Sequence, residues 1–94
     1  MKTQGSTKLY VVAGTQSAFV LPADTIRLDI QNPGGTWIRY AFVTGKVAVP
    51  AFPYEFETLA PASSTICAVK KASGSLYYSG NGDGAEFYVK PYTE

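Results

Sequence analysis

Four features of this 94-residue chain have side chains of a type and spacing that could do chemistry: the carboxylate pair Glu55 and Glu57, the loop residues Asn81 and Asp83, the lone thiol Cys67, and a surplus of aromatic rings. Two carboxylates two residues apart on a strand share a face at roughly 7 Å, a separation inverting glycosidases use. The simpler reading is a solvated strand face around a buried Phe56, because nothing nearby in sequence would raise one carboxyl's pKa. Asn81 and Asp83, set among glycines, resemble the start of a calcium loop. Calcium wants six or more oxygens and several carboxylates, and this loop supplies one, so a turn is the better reading. Cys67 has no second cysteine to pair with and sits in the apolar run Ile66-Cys67-Ala68-Val69, where a buried, inert thiol is expected.

The inventory closes off most catalysis. There is no histidine, hence no Ser-His or Cys-His pair and no imidazole metal ligand, and one cysteine cannot build a thiolate cage. No catalytic residue, metal site or cofactor is expected, and the chain reads as a non-enzyme. Aromatics remain: seven Tyr, five Phe and one Trp. Trp37, Tyr77, Tyr78, Tyr88 and Tyr92 stand where alternation or a flanking position would expose them, and Arg39 falls on the outward side with Trp37. Protein contact is the simplest use of such rings, because Tyr and Trp give large contact area at low entropy cost. Stacking on sugars is the rival.

These side chains need strands to hold them. Ile26, Leu28 and Ile30 alternate with Arg27, Asp29 and Gln31, the period of a strand with one buried face. Ile38, Tyr40 and Phe42 repeat the pattern after the turn formers Asn32-Pro33-Gly34-Gly35, so a β-hairpin with those six residues inward is expected. Further β-rich runs lie at Lys8 to Ala13, Ser17 to Val20, Thr65 to Val69, Leu76 to Tyr78 and Ala85 to Lys90. Lys46 to Val49 reads as a short edge run stopped by Pro50 and Pro53. About eight short strands and no helical period predict an all-β fold, a single small antiparallel β-sandwich or barrel of jelly-roll-like kind. Residues 1–7 are small, polar and aperiodic and read as a flexible arm, leaving one domain over 8–94.

Charge is low. Only 16% of residues are charged against roughly 25% in an average domain, and the net charge is +1. The eight basic residues are scattered, which disfavours nucleic acid. No run approaches the roughly 18 apolar residues of a membrane span, and the first residues lack the apolar core of a signal peptide, so synthesis and retention in a cytoplasm are expected.

Ile26-Arg27-Leu28-Asp29-Ile30-Gln31-Asn32-Pro33-Gly34, Trp37 to Phe42, Phe56 to Ser64 and Gly74 to Tyr78 together resemble the small β-sandwich structural proteins of tailed-phage particles, over roughly Ile26 to Val89. Those proteins show a strand of I-x-L-x-I-Q-N type, a turn into I-x-Y-x-F, and a later L-x-P-G-x-S turn. Ala62 stands where the group commonly has glycine, so a different turn geometry is expected there. The resemblance implies a virion structural protein made in the host cytoplasm, of capsid decoration or head-fibre-base type. It also implies the major capsid protein or other virion proteins as partners, and self-association with a trimer favoured. A carbohydrate- or receptor-binding module of a tail or fibre is the alternative.

Overall fold

The computed structural model describes residues 1–48, 56–72 and 74–94. Among these residues there are nine strands and no helix: β1 (Lys2–Thr3), β2 (Thr7–Tyr10), β3 (Ser17–Val20), β4 (Thr25–Asn32), β5 (Ile38–Ala41), β6 (Glu57–Leu59), β7 (Ser63–Ala72), β8 (Ser75–Gly80) and β9 (Glu86–Thr93). Among the described residues no helix is long and apolar enough to cross a membrane. All pairings are antiparallel. One sheet runs β2-β9-β4-β7, with β1 continuing the β2 edge along β9, and the other runs β3-β8-β5-β6. Eight strands divided between two four-stranded sheets in this order form a jelly roll, as the strand pattern predicted.

The core lies between the inner faces. Leu28 and Ile30 of β4 and Phe87 and Val89 of β9 meet Ile38 and Tyr40 of β5 and Leu76 and Tyr78 of β8, all buried. Each large apolar side chain buried this way contributes about 1.5–3 kcal/mol. The Tyr78 and Phe87 rings pack edge to face at 5.0 Å across the two sheets.

The expected β4–β5 hairpin is not formed. The two strands lie in opposite sheets, β4 paired with β7 and β9 and β5 with β6 and β8, so residues 33–37 carry the chain across the sandwich. Asn32 fixes that crossing. Its buried side-chain amide donates to the carbonyls of Thr36 (2.8 Å), Ala60 (3.1 Å) and Leu59 (3.3 Å), while its Oδ1 accepts from the Gly34 amide. A hairpin and an arch bury the same alternating set, which is why alternation could not separate them. Leu28, Ile30, Ile38 and Tyr40 are buried as expected, but Phe42 lies past the end of β5 and is exposed. Ile26 is only half-buried, because a bulge between Thr25 and Arg27 turns Thr25 inward instead.

Residues 1–7, expected as an arm, contribute β1, which pairs Lys2 with Thr93 and Thr3 with Tyr92; Gln4 Nε2 also donates to Thr93 Oγ1 at 3.0 Å. Residues 46–48 form no strand; Val49, Pro50 and Pro53 lie outside the described residues. At Ala62 the backbone has φ 54°, a left-handed conformation that an alanine adopts only with strain.

Candidate functional site

The aromatics singled out in the sequence do not form one patch. Tyr78 is core, 6% exposed, because in β8 it alternates with Tyr77 and takes the inward position. Tyr77 is half-buried on the outer face of the β3-β8-β5-β6 sheet, and Trp37 is exposed in the β4–β5 crossing. Arg39 points outward from its sheet, as expected, yet is only 5% exposed: residues 42–48 fold back over it, burying Val47 beside it. Its Nε donates to the Val47 carbonyl (2.8 Å), Nη2 to the Ala48 carbonyl (3.2 Å) and Nη1 to Asn81 Oδ1 (3.0 Å). Burial lowers its pKa from the usual guanidinium value. Arg39 is therefore a structural clamp and no part of an exposed interface.

Tyr88 and Tyr92 do come together, on the outer face of the β2-β9-β4-β7 sheet. In β9 the sequence Glu-Phe-Tyr-Val-Lys-Pro-Tyr-Thr buries Phe87, Val89, Pro91 and Thr93 and turns Glu86, Tyr88, Lys90 and Tyr92 outward. Strand β4 does the same with Arg27, Asp29 and Gln31. Register then lines the outward residues into rows: Lys8, Tyr88 and Gln31 in one, Lys90, Asp29 and Ile66 in the next, Tyr92, Arg27 and Ala68 in the third.

Charges are interleaved with the rings. The Arg27 guanidinium donates to both Asp29 oxygens, Nε to Oδ1 at 2.7 Å and Nη2 to Oδ2 at 3.0 Å, and lies 4.7 Å from the centre of the Tyr92 ring. The hydrogen bonding it donates to Asp29 raises the Arg27 pKa. Lys8 Nζ is 3.6 Å from Glu86 and 5.8 Å from the Tyr88 ring centre, and the Glu86 charge raises its pKa. Lys90 stands 5.8 Å from the Tyr92 ring. Between the first two rows is a shallow hollow of about 130 Å³ lined by Ser6, Asp29, Gln31, Tyr88, Val89 and Lys90. No protein-family model, curated protein or solved structure matches the chain.

The other chemical candidates disperse. Glu57 is exposed on β6, and Glu55 lies outside the described residues. Asn81 is committed to Arg39, and Asp83 Oδ1 accepts from the Ala13 amide at 3.3 Å. Among the described residues no three His, Cys, Asp or Glu side chains converge on a metal-binding position. Cys67 is half-buried with its Sγ 3.8 Å from the Tyr40 hydroxyl, and burial pushes the thiol pKa up, which suppresses the reactive thiolate. Alternation placed Arg27, Asp29 and Gln31 outward, as they are, but did not join them with Lys8 and Lys90 into one site. Their shared parity along each strand was readable; that β4 and β9, more than fifty positions apart, are neighbours was not.

Proposed function

We propose that this chain is a non-enzymatic virion structural protein, a capsid decoration protein that adheres to and bridges capsid subunits through the outer face of its β2-β9-β4-β7 sheet. The observation that carries the reading is that face: two tyrosine rings held among paired cations and carboxylates on regular strands, with a hollow too small to enclose a drug-sized substrate. A rigid, mixed-charge face with tyrosines suits docking on a protein surface, where rings supply contact area and charges set register. The jelly-roll topology and the resemblance to phage-particle proteins support the same reading. Fold alone assigns no function, so the face is what is tested.

The test is co-sedimentation of purified protein with emptied phage heads. The wild type is expected to pellet with the heads, and Tyr88→Ala with Tyr92→Ala to weaken pelleting by more than about thirtyfold, as loss of two interface hot spots implies. Failure of the wild type to pellet, together with its absence from washed virions by mass spectrometry, would reject the proposal.

One observation favours a second reading, a carbohydrate- or receptor-binding module. The hollow joins the Tyr88 ring to a carboxylate, an amide, an ammonium and a hydroxyl, from Asp29, Gln31, Lys90 and Ser6, a set able to stack on and hydrogen-bond one sugar ring. Trp37 lies in the β4–β5 crossing, away from this face, so its fluorescence is a poor reporter. A glycan array probed with labelled wild type and Tyr88→Ala decides: signals lost in the variant favour this reading, and a blank array rejects it.

A further inference from the structure

Jelly-roll sheets have four edges, and in this chain they are unequally protected. The β1/β2 edge is interrupted by Gly5 at φ 78° and carries Lys2 and Lys8. Strand β3 is four residues long and stopped by Pro22, and β6 is three residues long with Pro61 two residues beyond. Short, broken or charged edges resist pairing with another chain. Strand β7 is different. It spans ten residues, pairs with β4 on one side, and among the described residues has no strand on the other. Its ladder to β4 is unbroken from Ser63 to Ala68, six residues without charge, proline or glycine.

The side chains on both faces of this stretch are incompletely covered. Ile66, on the outer face, is 64% exposed. Thr65, Cys67 and Val69, on the core side, are only half-buried, although Cys67 and Val69 pack against the core cluster. Among the described residues the sandwich is thus open along β7, with no strand beside its outer edge between two incompletely covered rows.

We infer that β7 pairs antiparallel with β7 of a second copy of this chain, joining two four-stranded sheets into one continuous eight-stranded sheet. The charge placement selects both partner and direction. Opposed residues share a face, so a two-fold axis normal to the sheet sets one residue against itself. With Ile66 at that centre, Ile66 meets Ile66, Ser64 meets Ala68 and Thr65 meets Cys67, with no charge across the seam. Positions 70 and 71, both lysine, come opposite positions 62 and 61, which are alanine and proline. A parallel, in-register pairing would instead stack lysine on lysine. The contact is isologous and gives a dimer, whereas a trimer needs two different surfaces. The inference goes beyond the proposed function: it concerns the chain alone, and both Tyr88–Tyr92 faces end up on the same side of the joined sheet, so one dimer presents the adhesive face twice.

Sedimentation of purified protein over a concentration series, with no phage component present, tests the pairing. The wild type is expected to dimerise within the micromolar to hundreds-of-micromolar range. Ile66→Lys, which changes an exposed side chain, is expected to raise the dissociation constant at least tenfold, with a thermal midpoint equal to the wild type's at concentrations low enough for both to be monomeric. In a Cys67→Ala background, Ile66→Cys is expected to cross-link to itself under mild oxidation, because self-opposed Cα atoms about 4.5–5.5 Å apart lie within disulfide reach. Val20→Cys, on the β3 edge, should stay monomeric under the same treatment. A wild type that remains monomeric at hundreds of micromolar overturns the inference. So does an Ile66→Lys variant that still dimerises, or Val20→Cys cross-linking as readily as Ile66→Cys.

Discussion

Replacing Arg39 by alanine removes three hydrogen bonds at once, those to the Val47 and Ala48 carbonyls and to Asn81 Oδ1. A hydrogen bond involving a charged group contributes about 1.5–3 kcal/mol, which would exceed 4 kcal/mol for three. Burial works against that sum, since it disfavours the charged guanidinium and lowers its pKa, and the variant is relieved of this cost. The oxygens left without their donor, and the space left beside the fully buried Val47, act in the other direction. The net expectation is a loss of about 3 kcal/mol, which for a domain of this size lowers the thermal midpoint by roughly 12–24 °C. Arg39→Lys should recover less than half, because one ammonium on a flexible stem cannot hold the same fork of oxygens. Circular dichroism melts give the midpoint, and hydrogen exchange gives the location: amides of residues 42–48 should lose protection before those of β4 and β9. A midpoint within about 3 °C of wild type, or unchanged exchange over 42–48, would refute the clamp.

Three further outcomes are expected. Ala62→Gly should stabilise by about 1 kcal/mol, because φ 54° strains any residue with a Cβ; an unchanged or lower denaturation midpoint in urea would contradict this. Ser79 is fully buried with no hydrogen-bond partner for its hydroxyl among the described residues, so Ser79→Ala should be neutral or stabilising by up to about 1 kcal/mol, and a clear loss of stability would mean the hydroxyl is satisfied. Burial pushes the Tyr40 pKa up to about 12, above the ordinary value of 10.0 it takes when unfolded. Its stabilising effect is full below pH 10 and is lost as pH rises toward 12, on the order of 2–3 kcal/mol, because only the unfolded chain releases the proton in that window. Alkaline melts of the wild type and Tyr40→Phe check it: the wild type should lose more stability than the variant between those pH values.

The fold was largely legible, and the site half so. Alternation at Leu28 and Ile30 and at Ile38 and Tyr40 marked the inward residues, because side-chain period survives whichever strands pair. Pairing itself is long-range: the same alternation in β4 and β5 served an arch between sheets rather than a hairpin, and only the reach of Asn32 to Leu59 and Ala60 reveals it. Arg39 and Tyr78 show the second limit. Arg39 was correctly placed on the outward side, but a loop folded over it, and burial by a distant segment leaves no mark on local sequence. Tyr77 and Tyr78 had to face opposite ways, and nothing in two adjacent tyrosines says which is inside. Tyr88 and Tyr92 were found by type, but their neighbours Arg27, Asp29 and Lys90 required knowing that β9 lies beside β4.

The central claim, that the chain decorates a capsid through its Tyr88–Tyr92 face, is tested most directly by a cryo-electron microscopy reconstruction of emptied phage heads incubated with purified protein. The predicted result is added density that fits the jelly roll with the outer face of β2, β9 and β4 against capsid subunits and Tyr88 and Tyr92 inside the contact. Heads with no added density, or bound copies that turn this face to solvent, would contradict it.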